Sequence, residues 1–133
     1  MVGADTNVVL RIILDDDPAQ APAVERIVSS AGAGGIFVSL IVIAEIAWVL
    51  KRGYRERPGT ILDIIGDMLV TREFKIERPD ILAAALADAR QAKCGIADAI
   101  IARLSEDQGT DGTLTFDMDA KSLPTMINAM TYR

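Results

Sequence analysis

The chain has 133 residues, half of them hydrophobic and a quarter charged, so it is long enough to fold around its own hydrophobic core. It contains no histidine and one cysteine, which excludes an internal disulfide, Ser–His or Cys–His catalysis within one chain and any histidine-bearing zinc site. The net charge of −5 argues against a high-affinity DNA or RNA scaffold, but not against a nuclease, which needs acids at its centre and only a local basic rim.

The N-terminal residues predict a strand followed by a helix. Residues 1–5 have the pattern of a short buried strand that ends in Asp5. Residues 6–14 have the apolar spacing of an amphipathic helix, with Thr6 or Asn7 as its N-cap. Charged residues within this apolar segment argue against a signal peptide.

A second helix and a second strand follow. Asp17 and Pro18 are typical of the N-cap and first position of a helix, which we expect to continue to about residue 30. The three aspartates at residues 15–17 therefore predict a turn and a cap rather than a metal site. A glycine-rich turn then leads into a strand over residues 36–39.

The next helix is predicted to begin at Ser39 or Leu40. It carries Glu45, the only charged residue between Ile36 and Leu50. A carboxylate in an apolar helix costs several kcal/mol unless a partner compensates its charge or it takes up a proton. A salt bridge to a buried arginine is one explanation, and a metal ion is the other. Three glycines, Ser39 and Glu45 interrupt the longer apolar stretch over residues 31–50, so we do not expect a membrane span.

The rest of the chain continues the alternation of helices and strands. The remaining helices are predicted from residue 57 or 58 to about 70, from 79 to about 92 and over 94–109, and the remaining strands over 73–77, 112–117 and 123–130. Such alternation is typical of a parallel sheet covered by helices, an α/β fold. No repeat or break in composition divides the sequence, so we expect one domain over residues 1–133. In these sheets ligands bind beyond the carboxyl ends of the strands, where Asp5 and Asp117 lie.

Four acidic residues stand in apolar surroundings: Asp5, Glu45, Asp98 and Asp117, with Asp119 two residues after the last. Each alone has a structural explanation, since Asp5 and Asp98 are suited to cap helices and Asp117 to begin a turn. Glu45 resists this explanation because it lies in mid-helix. If the four carboxylates converge, a divalent cation cancels their mutual repulsion. Without histidine its ligands would be oxygens, which favours Mg²⁺, Mn²⁺ or Ca²⁺.

These acids lie in segments that resemble the PIN-domain ribonucleases, and within them the VapC-like toxins of bacterial toxin–antitoxin pairs. The matching segments, in chain order, are GADTNVVLRIIL, VSLIVIAEIAWVLKRGY, GIADAIIA and LTFDMDAKSL. The resemblance implies an α/β PIN-like fold, with a central parallel sheet of about five strands flanked by helices. It also implies metal-dependent cleavage of RNA phosphodiester bonds, with Mg²⁺ or Mn²⁺ as cofactor. Nothing in the cysteine content points to an oxidising compartment, so we expect a cytoplasmic protein.

The resemblance assigns roles to individual residues. Asp5, Glu45, Asp98 and Asp117 match the family's four acids, and Asp5 and Asp98 are the expected direct metal ligands. The supporting residues that it implies are Thr6, Asn7, Thr115 and Asp119. Gly95 is a departure, because many relatives carry an additional aspartate at this position, three residues before the third acid. Its absence is expected to weaken metal binding or to change the geometry of the site.

A basic segment follows the helix that carries Glu45. Its cations are Lys51, Arg52, Arg55 and Arg57, with Tyr54 among them. One interpretation is a rim that binds RNA phosphates, with Tyr54 as a platform for an unstacked base. Others are a solvated helix end or a surface that receives acidic groups of an antitoxin. Trp48 is expected to pack in the core or at a dimer interface.

The leading prediction is therefore a metal-dependent endoribonuclease that acts as a toxin, forms a homodimer and is controlled by a small protein antitoxin. Two other functions stay open. Gly95 favours a non-catalytic PIN-like dimeric module that only binds a partner or a metal. The residues around Asp117 and Asp119 also resemble a phosphatase DxD motif with Asp117 as nucleophile, although that motif normally follows the first strand of a chain.

Overall fold

The computed structural model describes residues 1–117 and 119–133, which form six α-helices and five short strands. The helices are Thr6–Leu14 (α1), Ala21–Ser30 (α2), Leu40–Arg52 (α3), Pro58–Val70 (α4), Pro79–Ala92 (α5) and Ile96–Asp107 (α6). The strands are Val2–Gly3 (β1), Ile36–Val38 (β2), Phe74–Ile76 (β3), Thr113–Thr115 (β4) and Met126–Asn128 (β5). The predicted alternation of strands and helices is confirmed, including the last strand.

All strand pairs are parallel, but they form two sheets rather than one. β2 lies between β1 and β3, and β4 pairs with β5 alone. The prediction of one central sheet of about five strands is therefore wrong in this respect. The strands are too short to form a long ladder: β1 has two residues because the chain turns into α1 at Asp5, directly after the bond from the Ala4 amide to the Phe37 carbonyl.

Helix α3 starts where the sequence predicts, because two side chains satisfy its first amide groups. The Ser39 hydroxyl accepts a hydrogen bond from the Val42 amide at 3.2 Å, and the Glu77 carboxylate accepts one from the Leu40 amide at 2.9 Å. These free amides at a helix start otherwise have no partner. Because these caps fix where α3 begins, they also fix which of its residues face the core and which face solvent.

Two predicted helix starts need correction. The N-cap of α1 is Asp5, whose carboxylate accepts from the Val8 amide at 3.1 Å, and not Thr6 or Asn7. Helix α2 begins at Ala21 and not at Pro18, because the Asp17 carboxylate accepts from the Ala19 amide and holds a separate turn. Pro22 then occupies the first turn of α2, where a missing amide hydrogen costs nothing.

Helix α3 has a buried face and an exposed face. Ile43, Ile46 and Leu50 are completely buried in the core, whereas Ile41 is 73% exposed and Trp48 65% exposed. The expectation that Trp48 packs in the core is wrong, because its position falls on the face turned to solvent. Glu45 shares this exposed face. Among the described residues, no helix has the length and apolar character that a membrane span needs.

Candidate active site

Asp5 and Glu45 lie at neighbouring positions on α1 and α3. Asp5 follows β1 at its carboxyl end and is exposed while it caps α1. The next residue, Thr6, donates its hydroxyl hydrogen to Oε1 of Glu45 at 2.9 Å. The start of α1 therefore contacts the middle of α3 through a polar pair at the residue that follows Asp5.

Solvent and Thr6 explain how an apolar helix tolerates Glu45. Its side chain is exposed and accepts the hydrogen bond from Thr6, so it carries no large burial cost. In the part of the chain that the structure describes, no ion pair joins Glu45 to an arginine. A salt bridge to a buried arginine is therefore not what compensates the charge of Glu45 in the described part of the chain.

Asp98, Asp117 and Asp119 line one cleft of about 400 Å³. Helix α3 contributes Trp48 and Lys51 to its lining, and α4 contributes apolar residues. The start of α6 and the segment after β4 contribute the three aspartates, which we call the acidic wall. The lining residues are Ala44, Ala47, Trp48, Lys51, Pro58, Ile61, Leu62, Lys93, Cys94, Gly95, Ile96, Ala97, Asp98, Asp117 and Asp119. The cleft thus combines three carboxylates, two lysines and an exposed indole.

Burial and nearby negative charges raise the pKa of two side chains at the acidic wall. Partial burial, and then the nearby Asp117 carboxylate, raise the pKa of Asp98 above its usual value. Burial, and then the charges of Asp98, Asp88 and Asp117, raise the pKa of the Cys94 thiol. The contribution of neighbouring carboxylates to both shifts means that further negative charge is disfavoured here, and a bound cation would offset that contribution. The Cys94 side chain is half-buried.

The segment around Asp117 is a turn held by its own hydrogen bonds. Oδ1 of Asp117 accepts from the Asp119 amide at 2.8 Å and from the Ala120 amide at 3.4 Å. The Thr115 hydroxyl accepts from the Asp117 amide at 2.9 Å. Thr115 thus fixes the backbone that carries Asp117, and the turn expected as the structural alternative is present beside the cleft.

The four predicted acids form two described groups. Asp98 and Asp117 share the cleft, whereas Asp5 and Glu45 meet through Thr6 and are not part of its lining. Within residues 1–117 and 119–133, no three acidic or cysteine side chains stand close enough to bind one ion together. Mg²⁺ commonly uses one or two carboxylates and completes its shell with water and phosphate oxygens. Asp98 and Asp117 line one cleft and so suit an ion that is held directly or through water, and the convergence of all four acids stays a prediction.

The basic segment is divided between two environments. Lys51 lines the cleft, and Arg57 is the N-cap residue of α4. Lys51, Arg52, Arg55 and Arg57 are all exposed, and none of them pairs with an acid among the described residues. A role in RNA binding is therefore compatible with their positions and stays a prediction.

Tyr54 does not have the position expected of a base platform. Its hydroxyl accepts from Arg11 at 2.9 Å and donates to Asp16 at 3.0 Å, while Arg11 and Asp16 form an ion pair at 2.9 Å. The hydrogen bond that Arg11 donates to Tyr54 is the main cause of the raised pKa of Arg11. These three residues tie the end of α3 to α1. Asp16 is thus a member of this network.

Two residues of the cleft were not assigned to it from the sequence. Trp48 shares a face of α3 with Ala44, Ala47 and Lys51, and this helical spacing was the available signal. Lys93 ends α5 with a left-handed backbone, φ 56°, a conformation that residues with a side chain rarely adopt. A lysine suits the negative end of a helix, and here it also borders the acidic wall.

A second depression, of about 600 Å³, lies on α2. It is lined by Ala23, Arg26, Ile27, Ser29 and Ser30. It contains no carboxylate and one cation, so it lacks the groups needed to bind a divalent ion or to activate water. The chemistry of the chain therefore points to the smaller cleft.

Comparison with known proteins gives one result for the whole chain. The family model described as PIN domain matches residues 4–125, a range that contains all four predicted acids and the cleft. No curated protein sequence matches the chain.

Proposed function

Because the chain belongs to the PIN domain family, whose members have nuclease-type functions, we propose that it is a metal-dependent endoribonuclease that hydrolyses RNA phosphodiester bonds. We assign this activity to a single domain over residues 1–133. The observation that carries the proposal is the cleft that Asp98 and Asp117 share, where the Asp117 charge contributes to the raised pKa of Asp98 and where Lys51 and Lys93 belong to the same lining.

The donor set fits Mg²⁺ or Mn²⁺. Apart from the Cys94 thiol, the ligand groups of the cleft are carboxylate oxygens. Partial burial, and then the Asp117 charge, raise the pKa of Asp98, and a bound cation would offset the effect of that charge. Asp5 and Asp98 are the proposed direct ligands, and Glu45 and Asp117 would act through water molecules. A bound divalent ion lowers the pKa of its water and neutralises phosphate charge.

The chain's own residues supply orientation. Thr6 holds one oxygen of Glu45 at 2.9 Å, which leaves the other oxygen to orient the attacking water. Thr115 fixes the Asp117 backbone, and Asp119 lies beside it on the cleft lining. The ammonium groups of Lys51 and Lys93 would hold a phosphate against the repulsion of the acids. Arg52, Arg55 and Arg57 would extend this cationic surface along the RNA.

Incubation of the purified chain with mixed RNAs tests the activity directly. We expect cleavage in Mn²⁺ or Mg²⁺, none in chelator, and almost none for Asp98→Asn. Glu25→Gln is the matched control, because Glu25 is an exposed acid of α2 outside the cleft and its loss should leave cleavage unchanged. Absence of metal-dependent cleavage by the folded wild-type chain would move the assignment to a non-catalytic binding role.

We further propose that the chain is the toxin of a toxin–antitoxin pair. Its motifs resemble VapC-like toxins, and exposed apolar side chains are available to a partner: Ile101 is 51% and Leu104 37% exposed on successive turns of α6. Expression of the chain alone should arrest bacterial growth, and Asp98→Asn should not. Normal growth with abundant folded protein would contradict the toxin role.

A homodimer is the proposed resting assembly. The exposed apolar residues of α6, together with Ile41 of α3, favour association, because burying them removes apolar surface from water. Sedimentation at micromolar concentration measures the assembly. A strict monomer would contradict it without affecting the nuclease assignment.

A further inference from the structure

Trp48 is an unusual residue to leave in water. It is the only tryptophan of the chain, it is 65% exposed, and it lines the same cleft as Asp98 and Asp117. A tryptophan buries more apolar area than almost any other side chain, so an exposed one forgoes substantial stabilisation. A ligand that covers the indole during function would account for this position.

The surroundings of Trp48 define the chemistry of that ligand. Lys51 lies one helical turn further along α3, Lys93 follows α5, and both line the cleft. Ile61 and Leu62 of α4 add apolar side chains to the same lining. A molecule that fits must therefore join a flat apolar part to an anionic part. A nucleotide within an RNA strand has this character, and about 400 Å³ lies within the range of small-ligand sites.

No other described aromatic side chain lines this cleft. The hydroxyl of Tyr54 is bonded to Arg11 and Asp16, which directs this residue towards α1. Phe116 is 74% exposed next to Asp117 but is not part of the lining. Trp48 is therefore the aromatic face available to a base whose phosphate is held at the carboxylates.

We propose that Trp48 positions the substrate by stacking against one unpaired base of the RNA strand whose phosphate is held at the carboxylates. This rests on the proposed ribonuclease function and assigns a substrate-positioning residue to the same site. Bases of a duplex are stacked and paired, and their flat faces cannot reach the indole unless the helix opens. Stacking on an aromatic side chain tolerates every base, so it selects strandedness rather than sequence.

A protein partner is the competing occupant of this surface, and the charges favour RNA. Trp48 stands among lysines and carboxylates, whereas the apolar Ile41 lies about two turns away on α3 and outside the cleft. A protein interface along α3 would cover both residues. A base at the cleft would cover Trp48 alone, which makes Ile41 a matched control.

The fluorescence of the single tryptophan reports binding directly. Asp98→Asn serves as the uncleaving background, and a short unstructured oligoribonucleotide in Mg²⁺ is the probe. We expect this RNA to quench the fluorescence and the same strand within a duplex to leave it unchanged. In the same background, Trp48→Leu should weaken binding of the single strand, followed by anisotropy of labelled RNA, roughly 5- to 150-fold. Trp48→Phe should retain most of the affinity, and Ile41→Ala all of it.

Abasic RNA separates stacking from a purely structural role of Trp48. Removal of one base at a time should weaken binding at one position, and this loss should disappear in Trp48→Leu because the platform is already absent. In otherwise wild-type protein, Trp48→Leu should raise KM and leave kcat nearly unchanged.

Three outcomes would overturn the inference. One is equal cleavage of single-stranded and duplex RNA. Another is an unchanged KM for folded Trp48→Leu, which refutes stacking while wild-type cleavage still supports the nuclease. A third is a dimer that Trp48→Leu and Ile41→Ala both dissociate with RNA affinity intact, which assigns Trp48 to a protein interface. If wild-type protein neither binds nor cleaves RNA, the proposed function itself fails.

Discussion

Asp5 performs one role that the structure shows and a second that we propose, and substitutions can separate them. Its carboxylate caps α1 by accepting the Val8 amide at 3.1 Å. It is also a proposed metal ligand beside the Thr6–Glu45 pair. Asp5→Asn keeps an oxygen that can accept the amide but removes the charge. Asp5→Ala removes both the cap and the charge.

The cap sets the expected change in stability. Replacement of an N-cap aspartate by alanine costs about 1 kcal/mol, within a range of about 0.5–2, whereas asparagine caps nearly as well. For a chain of this size, about 1 kcal/mol corresponds to a decrease in Tm of about 4 °C. Loss of the carboxylate charge is common to both variants. If it removes about 3 kcal/mol of charge stabilisation at the site, cleavage falls about 150-fold in each.

Thermal unfolding in chelator and RNA cleavage in Mn²⁺ measure the two roles separately. We expect Asp5→Asn to melt close to wild type, Asp5→Ala to melt lower, and both to lose cleavage. Ser39→Ala is the control, because it removes the N-cap of α3 without removing a charge, and should lower Tm while cleavage below the melting range persists. Wild-type cleavage by Asp5→Asn would refute the metal-ligand role and leave Asp5 as a cap.

Three further predictions concern the cleft. Asp98→Asn should nearly abolish cleavage and raise the free energy of unfolding in chelator at pH 7. Because the folded-state pKa of Asp98 is raised, this gain in stability should be absent below the usual carboxyl pKa near 3.9 and should grow as the pH rises through the raised value. Urea midpoints at several pH values measure it. Millimolar Mn²⁺ should raise Tm, with about 2.7 kcal/mol of stabilisation when its concentration is a hundred times its Kd, and Glu45→Gln should reduce this increase. A wild-type Tm that does not change with Mn²⁺ would count against the metal site. Gly95→Asp should tighten Mn²⁺ binding, measured by calorimetry, because it restores the carboxylate that many relatives carry. The backbone can accept the side chain, since a Cβ there meets only Asp98 Oδ2, at 3.9 Å, and φ is −69°. Unchanged affinity would show that the missing carboxylate is not what limits binding.

The sequence predicts helix positions best where one residue determines the start. Pro58 and Pro79 open α4 and α5 because proline needs no amide partner in a first turn, and both helices begin there. Sheet organisation was less predictable. Strands of two or three residues carry little pattern of their own, and whether β1 and β4 join depends on how the helices hold them. The five strands were therefore predictable, whereas their division into two sheets was not.

Glu45 shows why isolation in the sequence is a weaker guide than spacing. An acid within an apolar run suggests burial, yet Ile43, Ile46 and Leu50 bury one face of α3 and leave Glu45 on the other. The helical period predicts this shared face, because Ile41, Glu45 and Trp48 follow the spacing i, i+4, i+7. The same period would have placed Trp48 outside the core.

The candidate site is held by caps and turns that do not depend on an ion. Asp5 caps α1, Ser39 and Glu77 fix the start of α3, and the Asp117 carboxylate binds the amides of its own turn. A shift of α3 by one residue would rotate its side chains by about 100° and remove Trp48 from the cleft. Folding thus sets these positions before metal or RNA arrives. A bound cation then mainly balances the negative charges of Asp98 and Asp117. It has to offset little loss of conformational entropy, because these residues already share the cleft.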